Sequence, residues 1–208
     1  ANALIEGCEI RGNRCGVGAG GGGILMSVGT VRNCVITDNT SGNAGAGISM
    51  TGDGTIENCT LVSNRSMNAT AGTGLLMANG TVVNSIIYYN LPGSLYLRDA
   101  SNAPNVQKNG GTFLFNCSAP RLDGDGNIDA EPRFVDRARG DFRLLPGSPG
   151  IDAGSNRTAV TTDFAGSARP QDGDGTGGAR HDLGAYEMPP PNGGSLRAGF
   201  LTSTSEAI

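Results

Sequence analysis

The chain has 208 residues and a net charge of −4; 35 residues are glycine, 37% are apolar, 5% are aromatic and none is tryptophan. That is not the make-up of an ordinary globular domain, yet regular apolar spacing and a small net charge also separate it from a disordered chain. A single lysine, Lys108, and no basic stripe argue against a nucleic-acid partner, and the apolar run at Ile24–Met26 is far too short to span a bilayer.

In chain order, four stretches repeat one phrase: IEGCEIRGN from Ile5, VRNCVITDN from Val31, IENCTLVSN from Ile56 and VVNSIIYYN from Val82. Cys8, Cys34, Cys59 and Ser85 therefore stand 26, 25 and 26 residues apart. A fixed period of this size marks a stacked repeat, in which each unit buries its apolar face only against its neighbours. No signal-peptide pattern precedes the first copy, so the chain reads as a mature form or a fragment.

Aligned, the copies form columns. Ile5, Val31, Ile56 and Val82 make an apolar column, and Ile10, Ile36, Leu61 and Ile87 make another. The second lies two residues beyond the cysteine column, as inward positions of one strand should. The first lies three residues before it, so a bend must intervene. Gly7, Asn33, Asn58 and Asn84 occupy that bend, and Gly and Asn are the residues that tolerate a left-handed backbone. Asn13, Asn39, Asn64 and Asn90 close each strand, placed to bond amide to amide along the axis. Gly23-Ile24, Gly47-Ile48 and Gly74-Leu75 open a further strand, and Gly29-Thr30, Gly54-Thr55 and Gly80-Thr81 lead back to the start.

About three short strands per turn of about 25 residues predict an all-β parallel β-helix of about five coils over residues 1–120. The fifth rung is GTFLFNC, with Leu114, Asn116 and Cys117 in the apolar, bend and cysteine columns, reached through an inserted loop around Ser101–Gly110. Cys8, Cys34, Cys59 and Cys117 then form an inward ladder of thiols with Ser85, since parallel Cβ vectors suit disulfides poorly. Val35, Val62, Ile86 and Tyr88 point outward, a more apolar row than water-facing strands need, and the C-terminal segment is the expected cover.

From Arg121 the repeat stops. Residues 121–188 read as a loop-rich segment packed on the coils and 189–208 as a tail or linker. The phrases LDGDGNIDAEPRFVD, GDFRLLPGSPGIDAGS and TDFAGSARPQDGDGTGGARHDLGAYEM resemble, in this order, the C-terminal region of bacterial choice-of-anchor Q domain proteins. The preceding N-C-x-I-x-x-N and G-G-x-I pattern resembles their right-handed β-helix coils and, more distantly, the repeats of polymorphic outer membrane proteins and pectate-lyase-like proteins. The likeness covers about Ile5 to Met188. It implies a secreted or cell-surface β-helix, with no catalytic residue carried over.

Oxygen ligands alternate in DGDGNID, at Asp123, Asp125, Asn127 and Asp129. The pattern fits a Ca2+ loop or an Asx-rich turn: Ile128 stands where a calcium loop has its sixth-position glycine, and Phe134 where it has its twelfth-position glutamate. Asp172 and Asp174 in QDGDGTGG are a weaker instance. Asp152, Asp163, Asp182 and Glu187 with Arg169 are read as a charge network fastening the segment to the coils, because buried charges must be paired. The only histidine, His181, is read as structural.

Two functional classes follow. One is an extracellular or cell-surface module without catalysis, serving adhesion, carbohydrate binding or structure, with a polysaccharide or surface protein as partner or with end-to-end self-association through the open first coil. The other is a polysaccharide lyase or glycoside hydrolase of pectate-lyase-like fold, although the coil acids Glu6, Glu9, Asp38 and Glu57 do not all stand in one column.

Overall fold

The computed structural model describes residues 3–67, 72–92 and 104–191. The first rung carries β1 (Leu4–Glu6) and β2 (Glu9–Arg11). Three complete turns follow: β3 (Ile24–Met26), β4 (Thr30–Arg32), β5 (Val35–Thr37) and β6 (Thr40–Ser41); β7 (Ile48–Met50), β8 (Thr55–Glu57), β9 (Thr60–Val62) and β10 (Arg65–Ser66); β11 (Leu75–Met77), β12 (Thr81–Val83), β13 (Ile86–Tyr88) and β14 (Leu91–Pro92). A partial rung of β15 (Val106–Lys108), β16 (Thr112–Leu114) and β17 (Cys117–Ser118) ends the stack.

Strands of equivalent position pair in parallel from coil to coil, giving sheets β1-β4-β8-β12-β16, β2-β5-β9-β13-β17, β3-β7-β11-β15 and β6-β10-β14. The fold is thus the expected parallel β-solenoid. It has three complete turns with partial rungs at both ends rather than five full coils, and four strands per turn rather than three. The fourth is a two-residue strand after the Asn column, too short to show an alternation in the sequence.

Each coil bends where the chain carries Asn or Gly: φ is 61° at Gly7, 48° at Asn33, 50° at Asn58 and 53° at Asn84. A second left-handed column lies at Gly12, Asp38, Ser63 and Tyr89, which ends each outer strand. The core between the sheets is narrow and apolar. Val31, Ile56, Val82 and Phe113 fill it from one sheet, Ile36, Leu61 and Ile87 from the next, and Ile48, Met50, Leu75 and Met77 from the third. Glycine opens the third sheet because a Cβ at Gly47 would lie 2.8 Å from Gly74 O and 3.0 Å from Asn64 Nδ2.

The fifth rung is displaced by one residue from its expected register. Phe113, not Leu114, pairs with Val82, and Cys117 pairs with Ile86. The bend therefore falls on Phe115, with φ 52°, and Asn116 takes the place of Cys117 in the inward column. Cys117 faces outward, beneath the C-terminal segment. The physical cause is core volume: the phenyl ring of Phe113 is the large apolar group that reaches the axis, and it sets the register.

Beyond the coils, β18 (Phe134–Asp136) and β19 (Asp141–Leu144) form an antiparallel hairpin around a 3₁₀ turn at Arg137–Arg139. Asp136 accepts the Arg139 N–H at the start of that turn, and Gly140, at φ 80°, ends it. Phe142 and Ala185 cover Val35 and Val62, while Leu144, Ile151 and Leu183 cover Ile86 and Cys117. The outward apolar row is thus buried by residues 121–188, each aliphatic side chain contributing roughly 1.5–3 kcal/mol.

Candidate functional site

The two polar ladders run the height of the solenoid. Asn39 Oδ1 accepts from both the backbone N–H and Nδ2 of Asn13, each at 3.0 Å. Asn64 does the same for Asn39, at 3.1 and 3.0 Å, and Asn90 for Asn64, at 3.0 and 2.9 Å. Asn105, from the end of the inserted loop, continues the series for Asn90 at 2.8 and 3.0 Å. Residues 101–103 of that loop lie outside the described residues, as do 192–208 of the tail.

The second ladder changes chemistry along its length. All five cysteines are free. A hydrogen bond from Cys59 pulls the Cys34 thiol below its ordinary range, while burial pushes Cys59 up. Further along, Cys59 N–H donates to Ser85 Oγ at 3.1 Å, Ser85 N–H to Asn116 Oδ1 at 2.8 Å and Asn116 N–H to Asn127 Oδ1 at 2.9 Å. Sulfur thus gives way to oxygen acceptors toward the C-terminal end.

Asn127 belongs to the stretch expected to ligate calcium, and its place in the ladder breaks that set. Its Oδ1 is taken by Asn116, and its Nδ2 donates to Phe113 O and Leu122 O. Asp123, Asp125 and Asp129 remain on the exposed side of the same turn. Alternation of Asx residues cannot tell inward from outward, and here one of the four faces the core. Ser118 N–H bonds to Ile128 O and Phe115 N–H to Asp125 O, so this turn acts as a last rung covering the end of the stack. End-to-end stacking through that end would have to displace it.

Among the described residues, Asp152, Asp172 and Asp174 bring carboxylate oxygens within 4.8 Å of one another. Their oxygens also order the local loop. Asp152 accepts from the N–H groups of Asp174 and Arg180, Asp172 from Gly177 and Asp174 from Thr176. Asp172 Oδ1 is buried without a hydrogen-bond partner.

The expected charge network closes the C-terminal segment on itself. Glu187 accepts from Gln171 N–H and Asp182 N–H, Asp163 from Ser167 N–H and Glu187 N–H, and Asp182 from Asp152 N–H and Met188 N–H. Arg169 Nε lies 3.1 Å from Glu187 Oε2 without hydrogen-bond alignment, and both terminal nitrogens donate to Gly184 O. Burial, reinforced by Glu187, raises the Asp182 carboxyl to about 7, and burial raises Glu187 as well. Burial, with Arg169 nearby, lowers His181 to about 4. None of these hydrogen bonds reaches a coil, which corrects the expectation that the network is the fastening.

The fastening to the coils is made by the bend asparagines instead. Asn33 Nδ2 donates to Thr162 O at 2.7 Å, Asn58 Nδ2 lies 3.4 Å from His181 Nδ1, and Asn84 bonds both the N–H and C=O of Ser155. Gly184 N–H adds a bond to Asn84 O, and Ala185 N–H one to Thr60 Oγ1. Asn serves two needs at once here, a left-handed backbone and an amide aimed outward. Only the first is visible from spacing.

The arrangement therefore spends its carboxylates on main-chain N–H groups and a single arginine, and spends its amides on stacking and docking. Among the described residues no helix is long and apolar enough to cross a membrane. No curated protein and no solved structure matches the chain. The family profile of the right-handed beta helix region matches residues 1–126, more than half of the sequence, and the stacked parallel sheets agree with it: the chain belongs to the right-handed β-helix family.

Proposed function

We propose that this protein is an extracellular or cell-surface module that works without catalysis, a rigid scaffold for adhesion or carbohydrate binding of the kind the choice-of-anchor Q resemblance implies in bacteria. The observation that carries the reading is the covered strand face. Residues 121–188 lie over Val35, Val62, Ile86 and Cys117, where an open solenoid would offer a long groove. The buried acids of that segment, Asp163, Asp182 and Glu187, are committed to backbone N–H groups. Glycoside hydrolysis needs a pair of carboxyl groups free to exchange protons with substrate and water.

The test is a panel of uronic-acid and neutral polysaccharides, incubated with the protein with and without calcium. Retention on an insoluble polysaccharide or on bacterial cells, with no new reducing ends and no unsaturated products, is the expected result. Release of either product overturns the reading in favour of a lyase or hydrolase.

A further inference from the structure

A recess of about 270 Å3 lies between the strand ends of the solenoid and the hairpin turn, away from the buried charge network. Its walls include Arg11 and Thr37 from β2 and β5, Ser63 from the second left-handed column, and Arg137 and Phe142 from the hairpin. The corner that forms it is the run of left-handed residues Gly12, Asp38 and Ser63, where successive strands turn away together. Backbone held in that region is frequently found at binding sites.

Two observations point independently to a ligand. The first is Thr37, which is 1% exposed and whose Oγ1 has no hydrogen-bond partner among the described residues. A buried hydroxyl left unsatisfied is costly, so it marks a place where a polar group is expected to bind. The second is the charge of the walls. Arg11 reaches across toward Gly140, its Nη1 3.7 Å from where a Cβ would stand there. Arg137 rests over the Tyr89 ring at 4.0 Å, an arrangement that holds a guanidinium in place. Its neighbours Arg139 and Arg143 are occupied by Asp136 and Asp141. The one acid lining the recess, Asp38, is paired with Arg11 at 3.0 Å, and Glu9 lies 3.8 Å from the other terminal nitrogen of the same guanidinium. Arg11 is thus held between two acids, and Arg137 is the wall cation with no carboxylate at ion-pair distance among the described residues.

We propose that this recess binds a small hydroxylated carboxylate, its carboxylate facing Arg137 and Arg11 and a hydroxyl meeting Thr37 Oγ1 and Ser63. Guanidinium forks match carboxylates in geometry, hydroxyl donors match hydroxyl acceptors, and Phe142 supplies an apolar wall for a carbon skeleton. The volume admits one small molecule, so a polymer would enter by a single terminal or side unit. The proposal is independent of the scaffold reading, which stands whether or not the recess takes a ligand.

The experiment is isothermal titration of the full chain with sodium D-glucuronate, sodium D-gluconate and D-glucose. Glucuronate and gluconate separate a ring acid from an open-chain hydroxy acid, and millimolar binding of either, with none for glucose, supports the site. Thr37→Val and Arg137→Gln are each expected to weaken binding about tenfold or more, and Ala138→Trp, which fills the recess from an exposed position, to abolish it. Thr37→Val is also expected to leave the melting temperature unchanged or raised, since it removes an unsatisfied hydroxyl, which separates a binding role from a structural one. Binding by neither acid, equal binding of glucose, or unchanged affinity in Thr37→Val overturns the proposal.

Discussion

Asn84 and Ser155, 71 residues apart, exchange two hydrogen bonds: Asn84 Nδ2 donates to Ser155 O at 2.8 Å, and Ser155 N–H donates to Asn84 Oδ1 at 2.7 Å. A side-chain amide here imitates a β-bridge and makes a coil bend into a docking point. Asn84 also has φ 53°, so replacing it removes two supports. Asn84→Gly keeps the backbone and loses the bonds, and Asn84→Ala loses both; either leaves the N–H and C=O of Ser155 unpaired. Denaturant unfolding is expected to show Asn84→Ala destabilised by about 3–4 kcal/mol and Asn84→Gly by about 2. Equal costs would mean that φ contributes nothing.

The amide ladder gives a second expectation. Asn64 accepts from Asn39 and donates to Asn90 Oδ1, Ile36 O and Val62 O. Asn64→Leu conserves volume and orphans these groups in the core, at an expected cost of about 3–5 kcal/mol. Asn13, on the exposed first rung, donates among the described residues only to Asn39. Asn13→Leu should therefore lower the thermal midpoint far less, and a comparable loss in the two variants would contradict a ladder anchored in burial.

Stability against pH should carry two opposing signatures in the C-terminal segment. Asp182 is raised to about 7 from an unfolded value of about 3.9, so the fold prefers its protonated form and stability is lost as pH rises through 7. His181 is lowered to about 4 from about 6.5, so its contribution is complete above pH 6.5 and lost as pH falls toward 4. The melting temperature is expected to rise as pH drops from 8 to 6.5 and then to level, the two effects opposing each other. Asp182→Asn should flatten the rise between pH 8 and 6.5, and a slope unchanged in that variant would assign it elsewhere.

Thiol reactivity should divide the cysteines. Cys8 is exposed and Cys15 partly so, while Cys34, Cys59 and Cys117 are buried. Burial pushes the Cys117 thiol up to about 12, and burial also raises Cys59, which removes the reactive thiolate at neutral pH. Titration with a thiol reagent is expected to label two cysteines rapidly in the native protein and all five after unfolding. Rapid labelling of Cys117 in the native protein would show that the C-terminal segment lifts from the coils.

The fold was largely legible because stacking imposes one chemistry on each column. A 26-residue interval between Cys8 and Cys34 and a repeated Gly or Asn before the Cys or Ser of each rung are enough to place strands, core and bend. Legibility failed where the interval failed. After Asn90 the inserted loop removed the period, and two registers one residue apart fitted GTFLFNC; the bulk of Phe113 chose between them, moving Asn116 into the ladder and Cys117 out. Asn105 and Asn127, which take part in the two ladders, lie in loops with no repeat to align them.

What the sequence by itself determined is the solenoid: its period, its left-handed bends and its apolar axis follow from residues whose partners sit one coil away. The use of the outer surface was decided only by the tertiary structure. Asn33, Asn58, Asn84 and Thr60 meet partners more than 70 residues along the chain, and Asp163, Asp182 and Glu187, expected to fasten the coils, turn instead to backbone N–H groups of their own segment. Periodicity records contacts between equivalent positions; it holds no record of which irregular loop will come to lie on which face, because that choice depends on shape and on hydrogen-bond satisfaction after the coils have formed.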